Sequence, residues 1–323
     1  MLLTLLLTVA ASIGLANAFA DPLPCKGNCR NSHDPTIIRR SSDGKYFRFA
    51  TGGRVGIHTA PSIIGPWTGA GVVLPSSGSS IDNPGSKFVW APDVYQVGDT
   101  YYLYYAISTF GSQDSAIGVA TSKTMDAGSW TDHGGVGISS KPGDKYNAID
   151  PNLIVAGGKK YLTFGSYSNG IHQTTMSADG LTASKTAPHQ LEHNTTWPYA
   201  SEGANVFAHR GYYYLFWSSG SCCGYNVHRP APGDEYKIMV CRSKSVDGDY
   251  VDENGKSCLK SGGTLVLGSH GSVYGPGGQG VYDDPEYGPV LYYHHINTNV
   301  GYGDGDKMLG VNKIDFSSGW PRV

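Results

Sequence analysis

Several features that would define other classes of protein are missing from this chain of 323 residues. No stretch shows helical apolar periodicity over three turns, which excludes a helix-rich architecture. The 24 Lys and Arg residues against 26 Asp and Glu give a net charge of −2, and no basic run is long enough to follow a phosphate backbone. No linker divides the sequence. We therefore expect one large domain that does not bind nucleic acid.

Metal-binding spacings are also missing. The 11 histidines contain no His-Glu-x-x-His pattern, and the cysteines form no array of Cys-x-x-Cys pairs. A zinc ion held entirely by protein side chains is therefore excluded from the expected functions.

Only one long hydrophobic run is present, and it lies at the extreme N-terminus. It extends from Leu2 to Leu15 and is followed by small residues at alternating positions up to Ala20, a pattern typical of signal-peptidase cleavage. We predict a signal peptide over residues 1–20, a mature chain that begins near Asp21, and an extracellular protein. No Lys or Arg precedes the run, and a buried first strand is the alternative. No later segment could span a membrane.

The chain has six cysteines, and an even number in an exported protein favours disulfides, although about 15 pairings are possible. They are Cys25, Cys29, Cys222, Cys223, Cys241 and Cys258. Proximity in sequence pairs the first two and the last two. The remaining Cys222 and Cys223 either bridge each other or cross over to another pair, and we favour the vicinal bridge. The single glycosylation sequon, Asn194-Thr195-Thr196, predicts a surface loop.

What the sequence does contain is a repeat rich in glycine and tyrosine, with 45 and 22 of these residues. Five times a glycine-marked turn leads into an aromatic strand, and acids recur with spacings of 59, 57 and 52 residues. These acids are Asp34, Asp93, Asp150 and Glu202. Five such units predict an all-β fold, a five-bladed β-propeller that occupies residues 21–323 as a single catalytic domain.

Three of the acids stand at the head of a strand, where a radial fold would direct them toward its axis. Asp34, Asp150 and Glu202 are these candidates, and converging carboxylates indicate acid and base chemistry. The alternative for the two aspartates is an Asx-type cap before the proline that follows each of them. Asp93 lies in the same repeat, but its neighbourhood indicates packing, so it is left out of the catalytic set.

The motifs together resemble those of glycoside hydrolase family 43, and within it the secreted fungal endo-1,5-α-L-arabinanases. The resemblance covers nearly the whole mature chain and rests on segments 33–35, 90–94, 108–118, 147–154, 222–225 and 274–280. It implies a five-bladed propeller that hydrolyses arabinan with inversion of the anomeric centre. By the same resemblance Asp34 is the general base, Glu202 the general acid, and Asp150 the carboxylate that orients the acid and raises its pKa.

A saccharide groove needs aromatic platforms and polar side chains beside the acids. Trp90, Phe110, Asn147 and Ser166 lie next to the acid motifs and are the predicted substrate-binding residues, although aromatic residues in propellers often serve only to pack blades together. The chemistry requires no cofactor. The resemblance also implies a calcium ion near the axis, largely water-ligated, with His294 as its protein ligand; a satisfied core histidine is the alternative.

One look-alike motif is discounted. The segment Gly275–Gly280 matches Gly-x-Gly-x-x-Gly, but an aromatic strand follows it where a dinucleotide site needs a helix, so we interpret it as a turn. The leading hypothesis is a monomeric endo-acting arabinan hydrolase. Alternatives are an exo-acting arabinofuranosidase or β-xylosidase on the same fold, and a non-catalytic glycan-binding propeller.

Overall fold

The computed structural model describes residues 19–323, so the predicted signal peptide lies almost wholly outside the described residues. The described chain forms five antiparallel sheets, each built from consecutive strands. Four sheets have four strands and the fifth has three, which confirms the predicted all-β five-bladed propeller. Over this range the structure contains no helix with the length and apolar character needed to cross a bilayer.

The strands are numbered in chain order and grouped by blade. Blade 1 contains β1 (Thr36–Arg39), β2 (Tyr46–Ala50), β3 (Gly56–Ala60) and β4 (Thr68–Val72). Blade 2 contains β5 (Trp90–Val97), β6 (Thr100–Ile107), β7 (Ser115–Ser122) and β8 (Thr131–Ser140). Blade 3 contains β9 (Asn152–Ala156), β10 (Lys159–Phe164), β11 (Ile171–Thr175) and β12 (His189–Glu192). Blade 4 contains β13 (Ser201–His209), β14 (Tyr212–Ser219), β15 (Lys237–Ser243) and β16 (Thr264–Leu267). Blade 5 contains β17 (Val273–Asp284), β18 (Gly288–Asn297) and β19 (Lys307–Lys313).

The same glycine turn joins the first and second strands of every blade. A left-handed glycine, with φ between 61° and 76°, stands at each of these turns, at Gly44, Gly98, Gly158, Gly211 and Gly288. A residue with a Cβ is disfavoured in this conformation, so glycine is the residue that the turn requires. The aromatic strands that follow pack between the blades in five apolar clusters, one at each blade interface.

Hydrogen bonds from backbone amides of one blade to side chains of the preceding blade link four of the five interfaces. Val94, Leu153, Val206 and Val281 donate their amides, over 2.8–3.2 Å, to Thr36, Asp93, Asn152 and Asn205, respectively. Asp93 therefore holds blade 2 to blade 3, in agreement with its interpretation as a packing residue. Asp93 accepts the same inter-blade hydrogen bond as Thr36 in blade 1 and Asn152 in blade 3, so these three residues are structurally equivalent. The repeat read from sequence, which placed Asp93 at the position of Asp34, was therefore wrong by two residues.

The N-terminal segment of residues 23–32 closes the ring by lying beside β19. Leu23 donates its amide to Val311, the amide of Leu309 donates to Cys29, and the amide of Ser32 donates to Lys307, over 2.8–3.0 Å. The segment thus covers the outer edge of the three-stranded blade 5, where the other blades have a fourth strand. Ring closure of this kind joins the two ends of the propeller.

The three disulfides agree with the pairing favoured from sequence. Cys25 bridges Cys29 within the closing segment, and Cys241 bridges Cys258 in the core of blade 4. Cys222 and Cys223 form the vicinal bridge rather than crossing to another pair.

Candidate active site

The three predicted acids meet at one end of the propeller axis, because each stands at the start of an innermost strand. Asp34 and Asp150 line the same axial cavity, together with Gly203 and Tyr236. The amide of Gly203, the residue after Glu202, donates to Asp150 Oδ2 over 2.9 Å. Glu202 lies beside this cavity, where its carboxyl group contacts Tyr236, and it is close enough to raise the pKa of Asp150.

A left-handed backbone residue precedes or begins the inner strand at each of these places. The φ angles are 42° at Asp34, 57° at Asp150 and 63° at Gly203. Residues with a Cβ adopt this region at a cost of roughly 1–2 kcal/mol, which aspartate tolerates better than most. The sharp bend turns the two aspartate side chains toward the axis, and strain of this kind is typical of functional positions.

Both oxygens of the Glu202 carboxyl group are held by hydroxyl groups. Ser166 Oγ lies 2.6 Å from Oε2, and the phenol of Tyr236 contacts Oε1. The side chain is only 9% exposed. Burial raises the pKa of Glu202, and the negative charge of Asp34 adds to this effect, while the two hydroxyl groups oppose it. The net result is a carboxyl group that keeps its proton to higher pH than an ordinary glutamate.

Asp150 and Glu202 form a coupled pair of acids. Burial raises the pKa of Asp150 well above its ordinary value, and the charges of Glu202 and Asp34 raise it further. Two adjacent buried carboxyl groups resist simultaneous ionisation, so the pair retains one proton over a wide range of pH.

Asp34 has the opposite tendency. Burial alone would raise its pKa, but its contacts with His33, His294 and Lys307 outweigh burial and hold the pKa well below the ordinary value. Thr51 Oγ1 also donates to Oδ2 over 2.7 Å. Burial lowers the pKa of His33 to about 4, so at neutral pH the positive charge near Asp34 is that of Lys307. The site thus combines one carboxyl group whose pKa is lowered, Asp34, with one whose pKa is raised, Glu202.

A fully buried ammonium group sits behind Asp34. Lys307 Nζ donates to His33 Nε2 over 2.9 Å and to the Cys222 carbonyl over 3.1 Å, and it lies 3.5 Å from Cys223 Sγ. Its remaining neighbour is Asp304, whose Oδ1 is 3.6 Å away. The vicinal disulfide therefore lies at the active site and helps to hold the one buried lysine that contacts the site residues.

The glycine-rich segment Gly275–Gly280 is not a turn, as the sequence had suggested, but part of the inner strand β17. Its glycines make room for site rings, since an added Cβ would lie 2.5 Å or less from Tyr225 at Gly275, from Tyr236 at Gly277 and from Tyr292 at Gly280. At Gly278 the Cβ would lie 2.4 Å from Asp34 Oδ1 and 2.6 Å from His294 Nδ1. The segment thus has a packing function that only glycine can serve.

The predicted substrate-binding residues lie in different surroundings. Trp90 begins β5 and is partly exposed, and Phe110, in the loop between β6 and β7, is 84% exposed. Asn147 is half-buried and its Oδ1 accepts from Ser115 over 2.8 Å. Ser166 is almost fully buried and bonds to Glu202, which gives it a contact with the acid in addition to the predicted contact with substrate.

His294 points toward the axis and His295 away from it, as strand alternation predicted. The backbone amide of Asp34 donates to His294 Nδ1 over 3.0 Å, and Asp34 Oδ1 lies 3.3 Å from the same nitrogen. Its Nε2 is buried and has no hydrogen-bond partner among residues 19–323. His295 Nδ1 instead lies 3.1 Å from the Ile296 carbonyl oxygen.

Three site residues escaped the sequence reasoning: Thr51, Tyr236 and Lys307. Each comes from a segment without a recognisable motif, and the sequence gives no sign that they share a site. The tandem cysteines were the only local signal near any of them, because Cys222 and Cys223 contact Lys307.

Residues 29–321 match the family model described as Glycosyl hydrolases family 43. Arabinan endo-1,5-alpha-L-arabinosidase A of Aspergillus aculeatus is 56% identical over 317 residues, which are 98% of this chain and 98% of that protein. Among solved structures, an exo-1,5-alpha-L-arabinanase from a bovine ruminal metagenomic library superposes with a TM-score of 0.81 at 32% identity, over 93% of this chain and 99% of the other. The Cellvibrio cellulosa alpha-L-arabinanase complexed with arabinohexaose gives 0.79 at 27% identity, over 91% and 96%.

Proposed function

Since the chain belongs to glycosyl hydrolase family 43, we propose that it is an endo-acting, inverting hydrolase of α-1,5-linked L-arabinofuranose chains, the arabinan side chains of pectin. The observation that carries this proposal is the meeting of Asp34, Asp150 and Glu202 on the propeller axis. The name of the Aspergillus relative, at 56% identity over nearly the whole chain, supports arabinan as the substrate and endo cleavage as the mode.

The proposed reaction divides the work between one ionised and one protonated carboxyl group. Asp34 removes a proton from a water molecule while the water oxygen bonds to the anomeric carbon. Glu202 donates its proton to the glycosidic oxygen while the bond from that oxygen to the anomeric carbon breaks. The opposite pKa shifts of the two groups suit these opposite tasks. Asp150 orients the acid, since the Gly203 amide beside Glu202 donates to it, and its carboxyl group resists ionisation at the same time as that of Glu202.

We propose that the sugar chain is held by side chains on the face where the acids emerge. Trp90 and Phe110 present apolar surface to the sugar rings, and Asn147 offers its amide group to hydroxyl groups. Phe110 is 84% exposed, so its ring face is accessible to a sugar chain.

For the predicted calcium ion, the protein offers a partial set of ligands. Ligand atoms of His33, Asp34 and His294 lie within 4.8 Å of one another, and Nε2 of His294 has no hydrogen-bond partner among residues 19–323. The Asp34 amide donates to Nδ1 of His294, which puts the hydrogen of the neutral ring on Nε2, so a cation would bind Nε2 only in place of that hydrogen. Calcium prefers six to eight oxygen ligands, so water would supply most of them. Such an ion would order water near the axis.

We further propose that the protein is secreted and monomeric. Three disulfides support an oxidising compartment. Phe19 packs against His270, with ring centroids 5.6 Å apart, and Asn312 donates to the Ala20 carbonyl over 2.9 Å. These contacts favour cleavage after Ala18, two residues before the start predicted from sequence. The N-terminal mass of the secreted protein and its size by light scattering test both proposals.

Digestion of linear arabinan tests the function. The chain should release mixed short oligomers. Release of arabinose alone would mean exo cleavage, the mode named for the arabinanase from the ruminal metagenomic library. Binding of arabinan without new reducing ends would mean a non-catalytic propeller. Glu202→Gln and Asp34→Asn should each lower kcat by about 10²–10⁴-fold with little change in KM. Asp284→Asn, a buried carboxyl group that accepts from Tyr46 and does not line the axial cavity, is the matched control and should keep its kcat. Wild-type turnover in either acid variant would refute the assignment.

A further inference from the structure

The phenol of Tyr236 contacts the carboxyl group of Glu202, yet nothing in the proposed division of labour uses it. Tyr236 begins no recognisable motif and follows the inserted loop between β14 and β15. Its ring is 4% exposed and lies among three carboxyl groups. A buried hydroxyl group in direct contact with the acid can change how readily that acid releases its proton.

The tyrosine is held rigidly. Its backbone amide donates to the Ser221 carbonyl over 3.0 Å, and its ring stacks on His294 with centroids 5.9 Å apart. A Cβ on Gly277 would lie 2.2 Å from the ring, so the ring fills the space that this glycine leaves open. The hydroxyl group is therefore fixed on Oε1 of Glu202 and cannot swing away during the reaction.

The hydroxyl group is the donor in this contact, because the phenol O–H of Tyr236 points at Oε1 of Glu202. Its preferred partner is then an ionised carboxylate, which accepts hydrogen bonds at both oxygens, as Ser166 and Tyr236 allow here.

We propose that Tyr236 is a positioning residue for the acid: its phenol fixes Glu202 Oε1 and stabilises the carboxylate that forms as the proton passes to the glycosidic oxygen. The inference rests on the proposed function. Glu202 is ionised only after proton transfer, so a donor that favours the ionised form acts mainly on the transition state. Ser166 gives the matching contact on Oε2, and the two hydroxyl groups together offset the effect of burial.

The effect on pH dependence has a definite sign. Glu202 faces five titratable groups from the surrounding elements, namely Asp34, Asp150, Tyr167, Tyr236 and Lys307. Removal of the phenol takes away a donor that lowers the pKa of Glu202 and leaves the influences that raise it. The alkaline limb of kcat/KM, where the acid loses its proton, should therefore move to higher pH by about one unit.

Tyr236→Phe tests the inference, because phenylalanine keeps the ring and removes only the hydroxyl group. On arabinan we expect kcat to fall by about 10–100-fold with KM nearly unchanged, since hydrogen bonds to charged groups have this magnitude. On an arabino-oligosaccharide with a nitrophenyl leaving group, which departs without a proton, the loss should be under about threefold. A residue that only supports the structure would lower both rates equally.

Tyr46→Phe is the matched control. Tyr46 is another buried tyrosine whose hydroxyl group donates to a carboxylate, Asp284 Oδ2, over 2.7 Å, but it lies away from the acids. It should leave kcat and the alkaline limb unchanged. Equal losses of Tyr236→Phe on both substrates, or an unshifted limb, would overturn the inference. Ser166→Ala gives a second test of the same sign if the tyrosine variant does not fold. Failure of the wild-type chain to cleave arabinan would instead refute the proposed function.

Discussion

Replacing Gly278 by alanine tests whether the inner strand of blade 5 sets the position of the general base. An added Cβ would lie 2.4 Å from Asp34 Oδ1, while ordinary contacts begin at 3.4 Å. The carboxylate or the strand must therefore shift by about 1.0 Å, the difference between these distances. Misplacement of a reacting group by about 1 Å can lower the rate about 100-fold, so we expect kcat on linear arabinan to fall by about that factor.

The substitution also strains the backbone, because Gly278 has a φ of +56°. This strain should lower the free energy of unfolding by about 1–2 kcal/mol. Gly157→Ala provides the control: its φ is +54°, and an added Cβ meets nothing within 4 Å in the turn between β9 and β10. Both variants should lose similar stability in urea unfolding, but only Gly278→Ala should lose turnover. Equal kcat values in the two variants would refute the reasoning.

Two further predictions concern buried groups near the site. Burial raises the pKa of Glu192 to about 8, so above pH 4.5 the unfolded chain loses a proton that the folded chain keeps. The free energy of unfolding therefore declines as pH rises from 4.5 toward 8. Glu192→Gln should remove up to about 3 kcal/mol of this decline at pH 7, as measured by urea unfolding at pH 4.5 and 7. Replacing Cys222 and Cys223 by serine should loosen the position of Lys307 and lower kcat about tenfold, and an unchanged kcat would contradict the role of the vicinal bridge. As the control, loss of the Cys25–Cys29 bridge should lower thermal stability only.

The fold and the two aspartates could be predicted because both follow from a repeat, whereas Glu202 stands one residue before the position equivalent to Asp150, which is Gly203. Each blade has a glycine turn followed by an aromatic strand, which is visible in the sequence as a repeat. The symmetry of a propeller places equivalent positions of this repeat around one axis. Asp34 and Asp150 stand before proline at the head of an inner strand, so their positions could be inferred without any knowledge of side-chain contacts. The displaced register of Asp93 shows the limit of this reasoning, since loops of different length hide a shift of two residues.

The groups that tune the acids could not be predicted. Tyr236 immediately precedes β15 and Lys307 begins β19, which are the third strands of blades 4 and 5, and both lie close to the acids. The repeat predicts these strands, but it does not show which single side chain at the start of a third strand faces the acids, and the acids lie far away in sequence. The glycines of β17 were misread for a related reason: glycine signals a turn locally, but here its small size is required by rings from the β14–β15 connection and from β18.

Closure of the ring by residues 23–32 has a consequence for the order in which the protein becomes competent. The segment made early must wait for β19, which is synthesised nearly last, before it finds its hydrogen-bond partners. Lys307, at the start of that strand, arrives beside Asp34 at the same moment. A nascent chain can thus fold blade after blade during translation and still be unable to hydrolyse arabinan. Catalysis therefore requires that β19 has paired with residues 23–32.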